Sequence, residues 1–167
     1  DNENAWENTF EFAFAMDIPT ITAEPLPEHI PFIAALAKKH EIKVAIHNHP
    51  KPTRYWDPET VLEALDRGNE WMGACADIGH WVRSGIDPVQ ALKKYEGRLI
   101  QLHFKDLNEF GVLTAHDVPW GTGASKITAV MRELKRQGFQ GLFSVEYEYH
   151  WNNNVPEIIQ SVNFFRE

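Results

Sequence analysis

Five short runs of this chain share one arrangement, and it leaves few folds open. Side chains alternate faces along a β-strand. In the runs at about 18–24, 42–48, 72–77, 99–103 and 142–146, one face is apolar. It carries Ile21 and Ala23; Val44 and Ile46; Met72, Ala74 and Ala76; Ile100, Leu102 and Phe104; Phe143, Val145 and Tyr147. The other face is small or polar, and each time it ends on an ionisable residue. It carries Thr22 and Glu24; Ala45, His47 and His49; Cys75 and Asp77; Gln101, His103 and Lys105; Ser144, Glu146 and Glu148. An open sheet with helices on both sides needs apolar residues on both faces. A barrel turns one face into a tight interior and gathers the strand ends round a mouth, where (β/α)8 active sites sit. The pattern predicts a barrel.

Helical segments alternate with these runs. Trp6, Phe10, Ala13 and Phe14 fall at i, i+4, i+7 and i+8 and predict an apolar face. A second helix is expected over about 28–40, where Pro31 is tolerated in the first turn. Asp57-Pro58 and Asp87-Pro88 each set an N-cap acceptor before a proline at the first helical position. Gly68 and Gly97 stand where those helices should end. Further helices are expected over about 125–137, before Gly138, and from about 154. One helix followed by about five strand–helix pairs implies a parallel sheet with crossover helices. The long connection at about 105–124 directly follows a strand, and loops of that length usually carry function.

A complete (β/α)8 barrel takes about 250 residues, and this chain has 167. The expectation is the C-terminal portion of a TIM barrel, about strands 4–8, as one partial barrel domain over 1–167. Such a piece leaves two strand edges open. Further N-terminal sequence or a partner, including a second copy in a homo-oligomer, is expected to cover them. Sixteen Lys and Arg against 24 Asp and Glu give a net charge of −8, which argues against a nucleic-acid partner. It also disfavours a DNA-repair endonuclease on a related barrel. The single cysteine, Cys75, permits no internal disulfide. No apolar run approaches the roughly 18 residues of a membrane span, and Asp1-Asn2-Glu3-Asn4 is not a signal peptide. Cytoplasmic residence is the expectation.

His47, Asp77, His103 and Glu146 are two imidazoles and two carboxylates at four successive strand ends. Such a set suits one divalent transition ion (Mn, Co, Zn or Fe) in preference to Mg, which wants mostly oxygen. The segments Val44-Ala45-Ile46-His47-Asn48-His49-Pro50, Ala76-Asp77-Ile78-Gly79-His80-Trp81 and Leu102-His103-Phe104-Lys105-Asp106 follow in order. Trp120-Gly121-Thr122-Gly123 and Ser144-Val145-Glu146-Tyr147-Glu148 come after them. Together they resemble the sugar phosphate isomerase/epimerase family, the xylose isomerase-like barrels.

The resemblance implies a metal held by residues on strands five to eight. Asp77, His103 and Glu146 match the last three positions. His47 stands where most members have Glu, so the usual pair of acid/base carboxylates is broken. Glu24, on the neighbouring strand end, is the nearest replacement, or else forms an ion pair at the mouth. The resemblance also implies an enzyme acting on a keto-sugar or polyol. Glu24 or Glu146 takes the proton next to a carbonyl and leaves an enediolate. Epimerisation, isomerisation and dehydration share that first step. His80 is expected to reach substrate oxygens, and so is Lys105, unless it pairs with Glu148 or Asp106. His49 is expected beside His47, and Trp120, with Trp81 and Trp151, against a sugar ring. A non-catalytic sugar- or metal-binding fragment is the rival reading.

Overall fold

The computed structural model describes residues 2–166. Five parallel strands form one sheet: β1 (Thr20–Ala23), β2 (Lys43–His47), β3 (Met72–Asp77), β4 (Leu99–Phe104) and β7 (Leu142–Val145), in the order β1-β2-β3-β4-β7. Helices separate them: α1 (Glu3–Ala15), α2 (Ile30–His40), α3 (Pro58–Leu65), α4 (Ile78–Arg83), α5 (Pro88–Lys94), α6 (Ile127–Arg136) and α7 (Val155–Arg166). A two-stranded antiparallel arm, β5 (Asp106–Leu107) with β6 (Asp117–Val118), occupies the long connection after β4. No helix among the described residues is long and apolar enough to cross a membrane.

The helix starts follow from local chemistry. Asp57 accepts from the Glu59 amide at 3.0 Å and Asp87 from the Val89 amide at 2.9 Å, each with proline opening the helix. Gly97 and Gly138 take positive φ just past α5 and α6, where a side chain would be strained. Gly68 does not share that conformation; α3 ends earlier, at Leu65. On α1, Trp6, Phe10 and Ala13 are buried, but Phe14 is 64% exposed. It lies at the margin of the stripe and meets the edge of the His40 ring.

The sheet is rolled. Strands in a sheet lie about 4.8 Å apart, so side chains on β1 and β4 start about 14 Å apart if the sheet is flat. Yet the Gln101 side chain donates to the Thr22 hydroxyl across β2 and β3. His47 on β2 and His103 on β4 bring their rings to 4.7 Å across β3. This is the curvature of an incomplete (β/α)8 barrel, with the polar face concave. The convex face buries Val44, Ile46, Ala74, Ala76, Leu102 and Phe104 under the helices.

Candidate metal centre and active site

β2, β3, β4 and β7 deliver His47, Asp77, His103 and Glu146 to one place. One ligand atom from each lies within 4.8 Å of all the others. Asp77 is fully buried and His47 nearly so; His103 and Glu146 are half-buried towards the mouth. Cys75 Sγ approaches the ring nitrogens of His47 and His103 within the same limit, from one layer deeper.

Neighbours fix Asp77 from every side. Its backbone exchanges two hydrogen bonds with the Asn48 side chain: the Asp77 amide donates to Asn48 Oδ1 at 2.8 Å, and Asn48 Nδ2 donates to the Asp77 carbonyl at 2.9 Å. Asp77 Oδ1 caps α4 by accepting from the His80 amide at 2.9 Å. Oδ2 faces the cluster, 2.8 Å from Lys105 Nζ and 3.8 Å from His47 Nε2. Burial disfavours its charge, but Lys105, His80 and His47 outweigh burial and hold the carboxyl well below the ordinary carboxylate range. Because Asn48 is itself buried, Asn48→Ala strands the Asp77 amide and takes one donor from its carbonyl, which still accepts the first bond of α4. A loss of about 2 kcal/mol is expected in urea denaturation, and a value near zero would show that water replaces the amide.

Lys105 is fully buried, with its ammonium among three carboxylates: Asp77 and Glu148 at 2.8 Å and Glu146 at 3.3 Å. It therefore pairs with Glu148, not Asp106, and its ammonium is turned to these carboxylates, not exposed to a substrate. Trp120 also corrects the expectation. Its ring packs on Phe104 and Phe165 and its Nε1 donates to the Phe104 carbonyl, which places it in the helix layer behind the sheet. Trp81 is core, against Tyr95, and Trp151 is 73% exposed. His49 does lie beside His47, with ring centres 4.6 Å apart. Its Nδ1 contacts Glu24 Oε1, and that same oxygen is 3.9 Å from His47 Nδ1.

His80 also reaches the cluster, its Nε2 3.5 Å from Asp77 Oδ2. Burial, then Lys105 and Arg83, push it down to about 3 against the pull of Asp77, so the ring is neutral at pH 7. Sequence reasoning missed Arg83 and Asp117. Arg83 lies one turn after His80, and Arg83 Nη2 bonds Asp117 Oδ2 at 3.1 Å. The i, i+3 spacing of His80 and Arg83 was the available signal.

Two observations bear on a cation. The buried atoms His47 Nε2, His103 Nδ1 and Glu146 Oε2 have no hydrogen-bond partner. The last two stand 2.6 Å apart without the alignment a hydrogen bond requires. Buried polar atoms without partners are rare and call for an explanation. Contacts with Cys75 and Glu146 also push the His103 imidazole up to about 10, so the cluster draws a proton where it lacks a cation. Asp77, Glu146 and Glu148 against Lys105 leave a formal charge of −2, which one divalent ion balances. Two imidazoles and two carboxylates are a donor set such an ion takes, so the residues fit a divalent metal.

A rolled parallel sheet with ionisable residues gathered at its C-terminal rim defines a TIM-barrel enzyme scaffold. The chain belongs to the xylose isomerase-like TIM barrel family, whose profile matches residues 24–167. It is 27% identical over 163 residues to the inosose isomerase of Halalkalibacterium halodurans, covering 84% of this chain and 57% of that protein. It is 29% identical over 132 residues to the inosose dehydratase of Clostridium tetani, covering 70% of this chain and 44% of that protein. A crystal structure of an uncharacterized protein from Parabacteroides distasonis superposes with a TM-score of 0.72 at 38% identity. That match covers 99% of this chain and 65% of the other. The chain thus spans about half the length of the curated relatives it matches.

Proposed function

We propose that this chain carries the catalytic half of a divalent-metal-dependent isomerase or epimerase acting on a keto-sugar or keto-polyol. The observation behind this reading is the group of three buried, partnerless ligand atoms from His47, His103 and Glu146, gathered with Asp77 at the barrel rim. His47, Asp77, His103 and Glu146 would hold the metal. When bound, such an ion supplies Lewis-acid polarisation of a carbonyl and its neighbouring hydroxyl.

The protein groups do the rest. Glu146 takes the proton from the carbon next to the carbonyl; the C–H electron pair forms the new C=C bond and the carbonyl π pair moves onto oxygen, which gives an enediolate. Glu146 is suited to this because His103 and Lys105 hold its carboxyl low against burial, so it is ionised at pH 7. Glu24 stands at the other side of the mouth with His49 on one of its oxygens, and this pair passes back a proton taken up from solvent. The neutral His80 donates to a substrate oxygen. Return to the opposite face of the same carbon is epimerisation; return to the neighbouring carbon is isomerisation. Loss of a β-hydroxyl instead is dehydration, a second reading favoured by the resemblance to an inosose dehydratase.

Two measurements test this. Purified protein is expected to hold about one divalent transition ion, with His103→Ala and Glu146→Gln both losing it. Full metal content in both variants would rule the site out. With metal present, deuterium from solvent is expected to enter an inosose or a ketohexose at the carbon next to the carbonyl. Mass spectrometry then separates dehydration, which removes water, from rearrangement at constant mass. Turnover without any exchange would replace proton abstraction by hydride shift.

A further inference from the structure

Arg83 meets the candidate site through His80, with Glu148 Oε2 3.8 Å away, and its direction decides which ring nitrogen of His80 accepts. Arg83 Nη1 stands 3.1 Å from His80 Nδ1. A guanidinium only donates, so Nδ1 must accept and carries no proton. Lys105 Nζ lies 3.3 Å from the other ring nitrogen, Nε2. The ammonium turns freely and has nearer, charged neighbours in Asp77 Oδ2 and Glu148 Oε2, both at 2.8 Å. The guanidinium is the donor whose direction is fixed, so Nδ1 accepts from it and the ring proton sits on Nε2, the nitrogen that faces Asp77 Oδ2 and the cluster.

Arg83 is itself held. Its Nε donates to the Ala115 carbonyl and its Nη2 to Asp117 Oδ2, both at 3.1 Å. Asp117 is buried on β6, so the two-stranded arm after β4 clamps the guanidinium against the ring. Five donors in a rigid fork suit a role in which direction matters more than charge.

We infer that Arg83 is a positioning residue that locks His80 in the Nε2–H tautomer, so that an uncharged imidazole offers a hydrogen bond to the substrate oxygen where negative charge develops. A neutral donor stabilises an oxyanion without first surrendering a proton to it. The arm β5–β6 sets that donor through the chain Asp117–Arg83–His80. The inference deepens the proton-transfer reading above and rests on it for its consequence, though not for the tautomer itself.

The test is 15N NMR of the metal-loaded protein, labelled at its histidine rings and loaded with zinc to stay diamagnetic. His80 is assigned by the signals missing in His80→Gln. In the unaltered protein Nδ1 is expected to be pyridine-type and Nε2 pyrrole-type. A pyrrole-type Nδ1, or a rapidly averaging pair, overturns the inference with no Arg83 variant needed. Arg83→Met is expected to release the ring into a mixture of tautomers, whereas Arg83→Lys, still a donor only, is expected to retain Nε2–H. An unchanged His80 spectrum in a folded Arg83→Met also overturns it; if that variant does not fold, the unaltered protein and Arg83→Lys decide. In deuterium exchange, Arg83→Met is expected to lower kcat about 10- to 100-fold with KM little moved. A shifted tautomer with unchanged kcat removes the positioning role. No exchange in the unaltered protein removes the proton-transfer reading and leaves the tautomer result standing.

Discussion

Replacing Lys105 by methionine is expected to cost about 3–5 kcal/mol at pH 7, because it removes the cation from a buried cluster and leaves the anions behind. Asp77, fully buried, carries most of that loss. Glu146 and Glu148 are about a third exposed at their side chains, and solvent screens their share. The sign of the pH response is the sharper check. In the unaltered protein the Asp77 carboxyl is held below its ordinary 3.8, so the folded state binds its proton less readily than the unfolded chain does. Its contribution is fully present above about pH 4 and fades as pH falls through the lower folded value. Without Lys105, burial dominates and that carboxyl rises above 3.8. The folded variant then binds the proton more readily, and its stability increases as pH falls from 7 towards 4. The gap between the two proteins is therefore expected to narrow on acidification when urea midpoints are compared at pH 7 and pH 5. A gap that widens would mean the carboxylates are not repelling one another.

Asp106→Ala is expected to cost about 3–4 kcal/mol, with a local signature. The Asp106 carboxylate is buried and takes four backbone amides: Leu107 at 3.0 Å, then Ser125, Gly121 and Gly123 at 2.9 Å. Leu107 has a second acceptor in the Ser125 hydroxyl at 3.2 Å. The other three depend on Asp106, at about 1 kcal/mol each. Gly123 is part of the same device, since a Cβ there would strike the Leu107 carbonyl and the Asp106 carboxylate. Gly123→Ala should therefore reproduce a good part of the loss. Hydrogen exchange is expected to accelerate first in the amides of 121–125. Uniform acceleration across the sheet would show that the loop is held by something else.

The strands were legible because two independent signals coincide in them. Period-two alternation gives their existence, and the ionisable residue at each end gives their direction. The two Asp-Pro helix starts were legible for the same reason, an acceptor and a fixed φ at adjacent positions. α4 was not legible as a helix. It follows Asp77 without a gap, and that side chain caps the helix through Oδ1 while it faces the cluster through Oδ2. A residue with two duties was read for one. The arm β5–β6 has two residues in each strand, too few for any periodicity to register. Without the arm, neither the burial of Asp117 nor the hold on Arg83 could be foreseen. Alternation placed Lys105 correctly on the concave face. It could not show depth, because the carboxylates that meet Lys105 come from other strands, Glu148 from beyond the end of β7. Trp120 sits in a loop, where sequence spacing says nothing about which side of the sheet a ring will choose.

The cross-sheet contact between Thr22 and Gln101 has a bearing on metal choice. His47 and His103 come from strands that are not neighbours, so the bite between their rings is governed by the girth of the barrel and not by any loop. Whatever fills the tier below, where Cys75 lies against Gln101, acts as a spacer for that bite. Bulk added there would wedge the two imidazoles apart and favour a larger ion. Trimming it would let them close on a smaller one, with every ligand left in place.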